Sequence, residues 1–195
     1  MKIEINPIKL NGSWDLGYAL DKHVMSSTAI GVNYYGHTEF ETQRTSIGEA
    51  LYQFKYKHNA AEFMNIVDTL VDFIKKTPGY GNIDIVIPVP PSKHRNVQPV
   101  FEISKAVASI LKIPYVEDVL VKNSTIESKG LSSSEKGKLK GQITSIRRAT
   151  SKHNILIIDD IFSTGTTLSE CANILRSDPL INNIYVITIT KTTSR

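Results

Sequence analysis

Cysteine is nearly absent from this chain of 195 residues: Cys171 stands alone. That excludes an intramolecular disulfide, and with no second cysteine there is no Cys-x-x-Cys metal pair. The five histidines, at positions 23, 37, 58, 94 and 153, are scattered without ligand spacing. No apolar run approaches the roughly 18 residues that a membrane helix needs. The opening Met1, Lys2, Ile3, Glu4 does not read as a signal peptide, so the expectation is a cytoplasmic protein without a membrane partner. Basic charge is in modest excess, with a formal net charge of +4 and no basic run beyond Arg147 and Arg148. That argues against a dedicated nucleic-acid partner and fits a small anionic substrate. Nothing repeats at a fixed period and no stretch is low in complexity. The 41% hydrophobic content supports a real core, and the length suits a single domain over residues 1 to 195.

The most informative run lies near the C-terminus. Ile155, Leu156, Ile157 and Ile158 read as a strand buried on both faces. Asp159 and Asp160 follow, where that strand is expected to end. Ser163, Thr164, Gly165, Thr166 and Thr167 form a small hydroxyl-rich turn, and the next residues, through Arg176, read as a helix. A loop that feeds a helix N-terminus presents unpaired N–H groups to whatever lies above it, which makes an anion site. A phosphate held there would set its attached group beside the two acids. Carboxylates repel phosphate but accept hydrogen bonds from sugar hydroxyls, so the pairing suits a ribose phosphate. The plainer alternative is an acidic strand end with an ordinary capped helix.

The rest of the chain reads as alternating elements. Residues 1 to 44 are rich in Gly, Asn, Tyr and Thr and suggest short antiparallel strands. Ser46 to Glu49 has a capping-box pattern that opens a helix through about Lys57, and Asn59 caps a second. In that second helix Phe63, Ile66, Val67, Leu70, Val71 and Ile74 share one face. A strand over residues 83 to 88, a helix over 99 to 111 and a last strand over 184 to 190 complete the pattern, with a strand pair around residues 116 to 121. Strands alternating with helices imply a parallel sheet, whose ligands bind at the carboxyl ends of the strands. At the end of the first such strand, a proline-stiffened loop carries Ser92, Lys93, His94 and Arg95. Lys93 supplies a point charge and Arg95 a bidentate fork, which suits a diphosphate. Residues 122 to 142 lack apolar periodicity and hold Lys122, Lys129, Lys136, Lys138 and Lys140. By composition alone that segment is a solvated loop. Trp14, Tyr34 and Tyr35 could line a hood that holds a planar acceptor, with core packing the expected job of Trp14. Asp84 reads as a strand-edge residue and Cys171 as a small core residue. The sequence does not say whether Arg44 or Lys55 reaches the site.

The run from Ile155 to Thr167 resembles the signature of the type I phosphoribosyltransferases, which bind 5-phosphoribosyl-1-pyrophosphate (PRPP). Ile87, Pro88, Val89 and Pro90 with Lys93 and Arg95, together with Phe54, Lys55 and Tyr56, narrow the resemblance to the ComF-like branch, without its zinc ribbon. Arg95, Asn96, Val97 and Gln98 stand where that branch carries an Arg-Gly-Phe-Asn-Gln run. The resemblance implies an α/β fold: a parallel core sheet flanked by helices over residues 46 to 195, with a small N-terminal hood over residues 1 to 45. It implies transfer of the 5-phosphoribosyl group from PRPP to a nitrogen acceptor, a nucleobase or amine, with release of pyrophosphate. Ser163, Thr164, Gly165, Thr166 and Thr167 would hold the 5-phosphate, Asp159 and Asp160 the ribose diol, and Ser92, Lys93 and Arg95 the pyrophosphate. Residues 122 to 142 correspond to the family's catalytic loop, with Lys129 and Lys136 as its candidate catalytic residues; Leu131 to Lys136 resembles a Leu-Ser-x-x-Glu-Arg stretch. Magnesium is implied as a cofactor bound mainly through the substrate, with no direct protein cage. A homodimer stays open. So do two other readings: a non-catalytic module that senses PRPP or a nucleotide, and an accessory protein in DNA uptake or handling.

Overall fold

The computed structural model describes residues 2–57, 59–91, 98–122 and 143–192. In chain order the elements are β1 (Ile8–Lys9), β2 (Leu16–Lys22), β3 (Val24–Val32), β4 (Thr38–Arg44), α1 (Ser46–Lys57), α2 (Ala60–Lys76), β5 (Ile85–Pro88), α3 (Pro99–Leu111), β6 (Leu120–Lys122), β7 (Ile143–Ser145), β8 (His153–Phe162), α4 (Thr166–Arg176) and β9 (Ile181–Lys191).

The main sheet runs β1-β2-β9-β8-β5 among the described residues. Its β2, β9, β8 and β5 are mutually parallel, and only β1 is antiparallel, at the β2 edge. Tyr115 adds a parallel bridge to Val86 beyond β5. The sheet is buried on both faces, which is why β8 carries the unbroken aliphatic run Ile155 to Ile158 and β9 stays buried from Ile184 to Thr190. On one face Leu156 and Ile158 pack with Leu51, Ile66, Leu70, Ile103 and Val107 of α1, α2 and α3. On the other, Ile155 and Ile157 pack with Leu168, Cys171, Ala172 and Leu175 of α4.

The helices follow their sequence signals with one shift. Asn59 caps α2 as expected, accepting from the Ala61 amide at 3.1 Å. The cap of α1 is Thr45, not Ser46: the Thr45 hydroxyl accepts from the Gly48 amide at 3.1 Å and donates to the Lys22 carbonyl at 2.6 Å. Glu49 then serves Arg44 and Gln53 instead of closing a capping box.

The N-terminal residues differ most from expectation. Within residues 1–45, expected as antiparallel strands of a hood, β2 lies inside the main sheet and pairs parallel with β9. Only β3 and β4 stand apart, as a two-stranded antiparallel ribbon. Buried Ala19 and Leu20 explain the difference, because β2 carries apolar residues for both faces of the sheet. Trp14 is buried as expected, with its indole N–H donating to the Leu10 carbonyl at 3.0 Å. Tyr34 and Tyr35, 97% and 80% exposed, sit at the ribbon tip against each other. The strand pair expected around residues 116 to 121 is instead β6 against β7, with Lys122 opposite Ile143.

Candidate active site

At the carboxyl ends of β5 and β8 lies a cavity of about 400 Å³. Val89, Pro90 and Pro91 form one wall, and Gln98, Pro99 and Phe101 at the start of α3 form another. Lys55, Asp159, Asp160 and Thr167 complete it. The strand-end location follows from parallel topology, since every parallel strand delivers its following loop to the same rim.

The two acids are not beyond the strand but in it. The β8–β9 ladder continues through Asp159 opposite Thr188 and Phe162 opposite Lys191, because β9 is long enough to pair with every residue of the turn approach. Alternation along a strand sends neighbouring side chains to opposite faces. Asp160 therefore continues the face of Leu156 and Ile158, where Lys55 of α1 forms an ion pair with it. Asp159 continues the face of Ile155 and Ile157, on the α4 side. Burial pushes the Asp159 carboxyl up to about 7, and the neighbouring Asp160 charge adds to the rise. The Asp160 amide donates to Asp159 Oδ1 at 2.8 Å and opposes part of it.

The turn after β8 is built around Gly165, the N-cap of α4, at φ 77° and ψ 2°. A Cβ there would stand 2.8 Å from the Phe162 ring. Glycine is thus required twice, by the left-handed backbone and by the aromatic beneath it. No side chain caps α4 through Gly165, and the first turn of α4 carries no acid. Thr164 and Thr166 share a hydroxyl contact at 2.9 Å, and Ser163, Thr164 and Thr166 are exposed. Thr167 turns into the cavity with the acids. The arrangement can take an anion on the α4 amides while carboxylates face a hydroxylated group beside it.

Lys55 is the cavity residue that sequence reasoning left undecided. Its side chain is only 10% exposed and lies on the last turn of a helix far from the β8 signature in sequence. Behind it, His23 Nδ1 lies 3.1 Å from the Thr190 hydroxyl. Burial, and then the charges of Arg44 and Lys55, hold His23 below the ordinary imidazole value. Arg44 stacks on Tyr52 at 3.9 Å and pairs with Glu49, outside the cavity wall. The Phe54, Lys55, Tyr56 element thus contributes its lysine to the site.

Ser92, Lys93 and Arg95 lie outside the described residues, as do Lys129 and Lys136. The chain leaves the cavity wall at Pro91 and re-enters it at Gln98, so residues 92–97 begin and end there. Residues 123–142 begin and end at the paired strands β6 and β7. Two expected bystanders hold their assigned places: Cys171 is buried, its thiol pushed up to about 12 by that burial, and Asp84 accepts from the Asn154 amide at 2.7 Å. Among the described residues there is no cluster of three or more His, Cys, Asp or Glu able to hold a metal, and no helix long and apolar enough to cross a membrane.

No protein-family model and no curated protein matches this chain. Solved structures do. A glutamine PRPP amidotransferase from B. subtilis, complexed with ADP and GMP, superposes with a TM-score of 0.50 at 18% identity, over 81% of this chain and 35% of that one. An allosteric regulatory enzyme of purine biosynthesis matches equally, with a TM-score of 0.50, 18% identity, and 81% and 34% coverage. An adenine phosphoribosyltransferase from Trypanosoma brucei, in complex with AMP, pyrophosphate and ribose-5-phosphate, gives 0.49 at 13% identity, over 96% of this chain and 75% of that one. The chain spans about a third of the amidotransferase's length. At these identities the likeness concerns architecture, and with the strand order above it establishes that the chain has the type I phosphoribosyltransferase fold: a mostly parallel central sheet flanked by helices.

Proposed function

We propose that this chain is a phosphoribosyltransferase that uses PRPP and transfers its 5-phosphoribosyl group to a nitrogen nucleophile. The observation that carries the reading is one cavity wall. The α4 N-terminus, opened by a left-handed Gly165, adjoins Asp159 and Asp160 at the carboxyl end of β8. The 5-phosphate takes the amides and hydroxyls of residues 163–167, and the ribose diol donates to the two carboxylates. The C1–oxygen bond to pyrophosphate breaks, its electron pair leaves on the diphosphate, and the acceptor nitrogen forms the new bond to C1 and then loses its proton. Lys93 and Arg95, with Ser92, receive the diphosphate on the loop that begins at Pro91. Lys129 and Lys136 add positive charge where the leaving group gains negative charge, which lowers the barrier only if it acts in the transition state.

Lys55 has a positioning role in this reading. By pairing with Asp160 it fixes that carboxylate toward α1. Asp159 and Asp160 would hold the ribose diol, and the sequence resemblance implies magnesium held mainly through substrate oxygens. Magnesium, when bound, neutralises diphosphate charge. The ComF-like assignment belongs to the same proposal and rests on the sequence resemblance; a cytoplasmic location belongs to it too, and a homodimer stays open. Incubating the protein with PRPP, magnesium and a panel of nucleobases and amines tests the reading. Acceptor-dependent pyrophosphate release supports it; tight PRPP binding with no release across the panel turns the reading to a sensor.

A further inference from the structure

A second cavity, of about 530 Å³, lies at the opposite, amino end of the sheet. That volume lies within the range of small-molecule sites. It opens between the start of β8, the β6–β7 ribbon and the C-terminal end of α4. Its floor is aliphatic, with Ile85, Ile143, Ile155, Ile174 and Ile181 from five elements, and no Phe, Tyr or Trp lines it. Its mouth carries Arg147, Arg148 and His153. The acid facing them, Asp178, is already engaged: its oxygens accept from the Ala149 amide at 2.9 Å and the Leu180 amide at 3.0 Å. Arg147 pairs with Asp118, but among the described residues no carboxylate is within ion-pair distance of Arg148. The cavity thus joins an apolar interior to a guanidinium that forms no ion pair among the described residues, although its charge also acts on Asp178.

We infer that this cavity binds an aliphatic carboxylate, its chain on the isoleucine floor and its head group on Arg148. Burying each methylene contributes about 0.8 kcal/mol, so the chain supplies affinity. A guanidinium fork selects a planar carboxylate over a neutral head. The site is separate from the PRPP cavity, and its test does not depend on the proposed transfer reaction. Ile143 both lines the cavity and pairs with Lys122, so an occupant packs directly on the β6–β7 ladder.

The experiment uses the full chain with labelled isoleucine methyl groups, titrated with octanoate, 1-octanol and inorganic phosphate. Octanoate is expected to shift the Ile85, Ile155 and Ile174 methyl signals saturably, and phosphate to leave them in place. Arg148→Gln, at an exposed position, is expected to weaken octanoate at least ten-fold while leaving 1-octanol unchanged. Ala149→Phe, which fills the cavity mouth, is expected to abolish both. Unmoved isoleucine signals, or octanoate affinity unchanged in Arg148→Gln or in Ala149→Phe, would overturn the inference.

Discussion

Lys55 and Asp160, 105 residues apart in the chain, form an ion pair at the floor of the strand-end cavity. With side chains 10% and 21% exposed, both are largely withdrawn from water. The pair joins the last turn of α1 to the strand that carries both candidate diol ligands.

Removing one partner leaves a partly buried charge alone. Lys55→Met and Asp160→Asn should each destabilise the fold, and the double variant should recover part of the loss. The coupling energy should be on the order of 1–3 kcal/mol in a double-mutant cycle read by urea unfolding. Additive losses would show that the pair is only a surface contact.

Asp159 makes stability depend on pH. Its carboxyl is raised from the ordinary value of 3.8 to about 7, by burial first and by Asp160 second. The folded state therefore holds a proton that the unfolded state releases. This contribution is fully present below about pH 4 and is lost as pH rises toward 7. Asp159→Asn should remove that downward slope between about pH 4 and 7, leaving the contributions of other groups. An unchanged slope in the variant would assign the dependence elsewhere.

Gly165→Ala should be destabilising by about 1–3 kcal/mol, because the residue sits at φ 77° and its new Cβ meets Phe162. Ribose 5-phosphate affinity should fall with it as the α4 amides shift. Adding Phe162→Leu should restore part of the stability by making room. If the second change restores nothing, the backbone conformation alone sets the requirement for glycine.

Lys129→Ala and Lys136→Ala should slow pyrophosphate release by about ten-fold or more while PRPP affinity stays nearly constant. A contact made only as the diphosphate departs lowers the barrier without tightening the ground state. Equal losses of affinity and rate would mark these lysines as ordinary binding groups.

Much of the fold was legible because its signals are local. The apolar face of α2, its Asn59 cap, the extent of α3 and the aliphatic runs of β8 and β9 all depend on periodicity within one element. The glycine turn was legible for the same reason. What escaped depends on pairing between distant segments. β2 looks like part of an antiparallel hood until β9 is set beside it. Asp159 and Asp160 look like a loop until the β9 partners Thr188 and Thr190 extend the ladder past them. Lys55 follows no local rule that marks it, since a lysine in a last helical turn is usually a solvated complement to the helix dipole. The β6–β7 pairing was hidden because its strands are three residues each and the sequence between them is long.

The central claim is that the cavity at the carboxyl ends of β5 and β8 holds PRPP. Calorimetry of PRPP with magnesium, on the parent chain and on the Asp159→Asn, Asp160→Asn double variant, tests it most directly. The account predicts saturable one-to-one binding to the parent, weakened at least ten-fold in the variant, with thermal stabilisation of about 2.7 kcal/mol at 100 times the dissociation constant. No binding to the parent, or equal affinity for parent and variant, would contradict it.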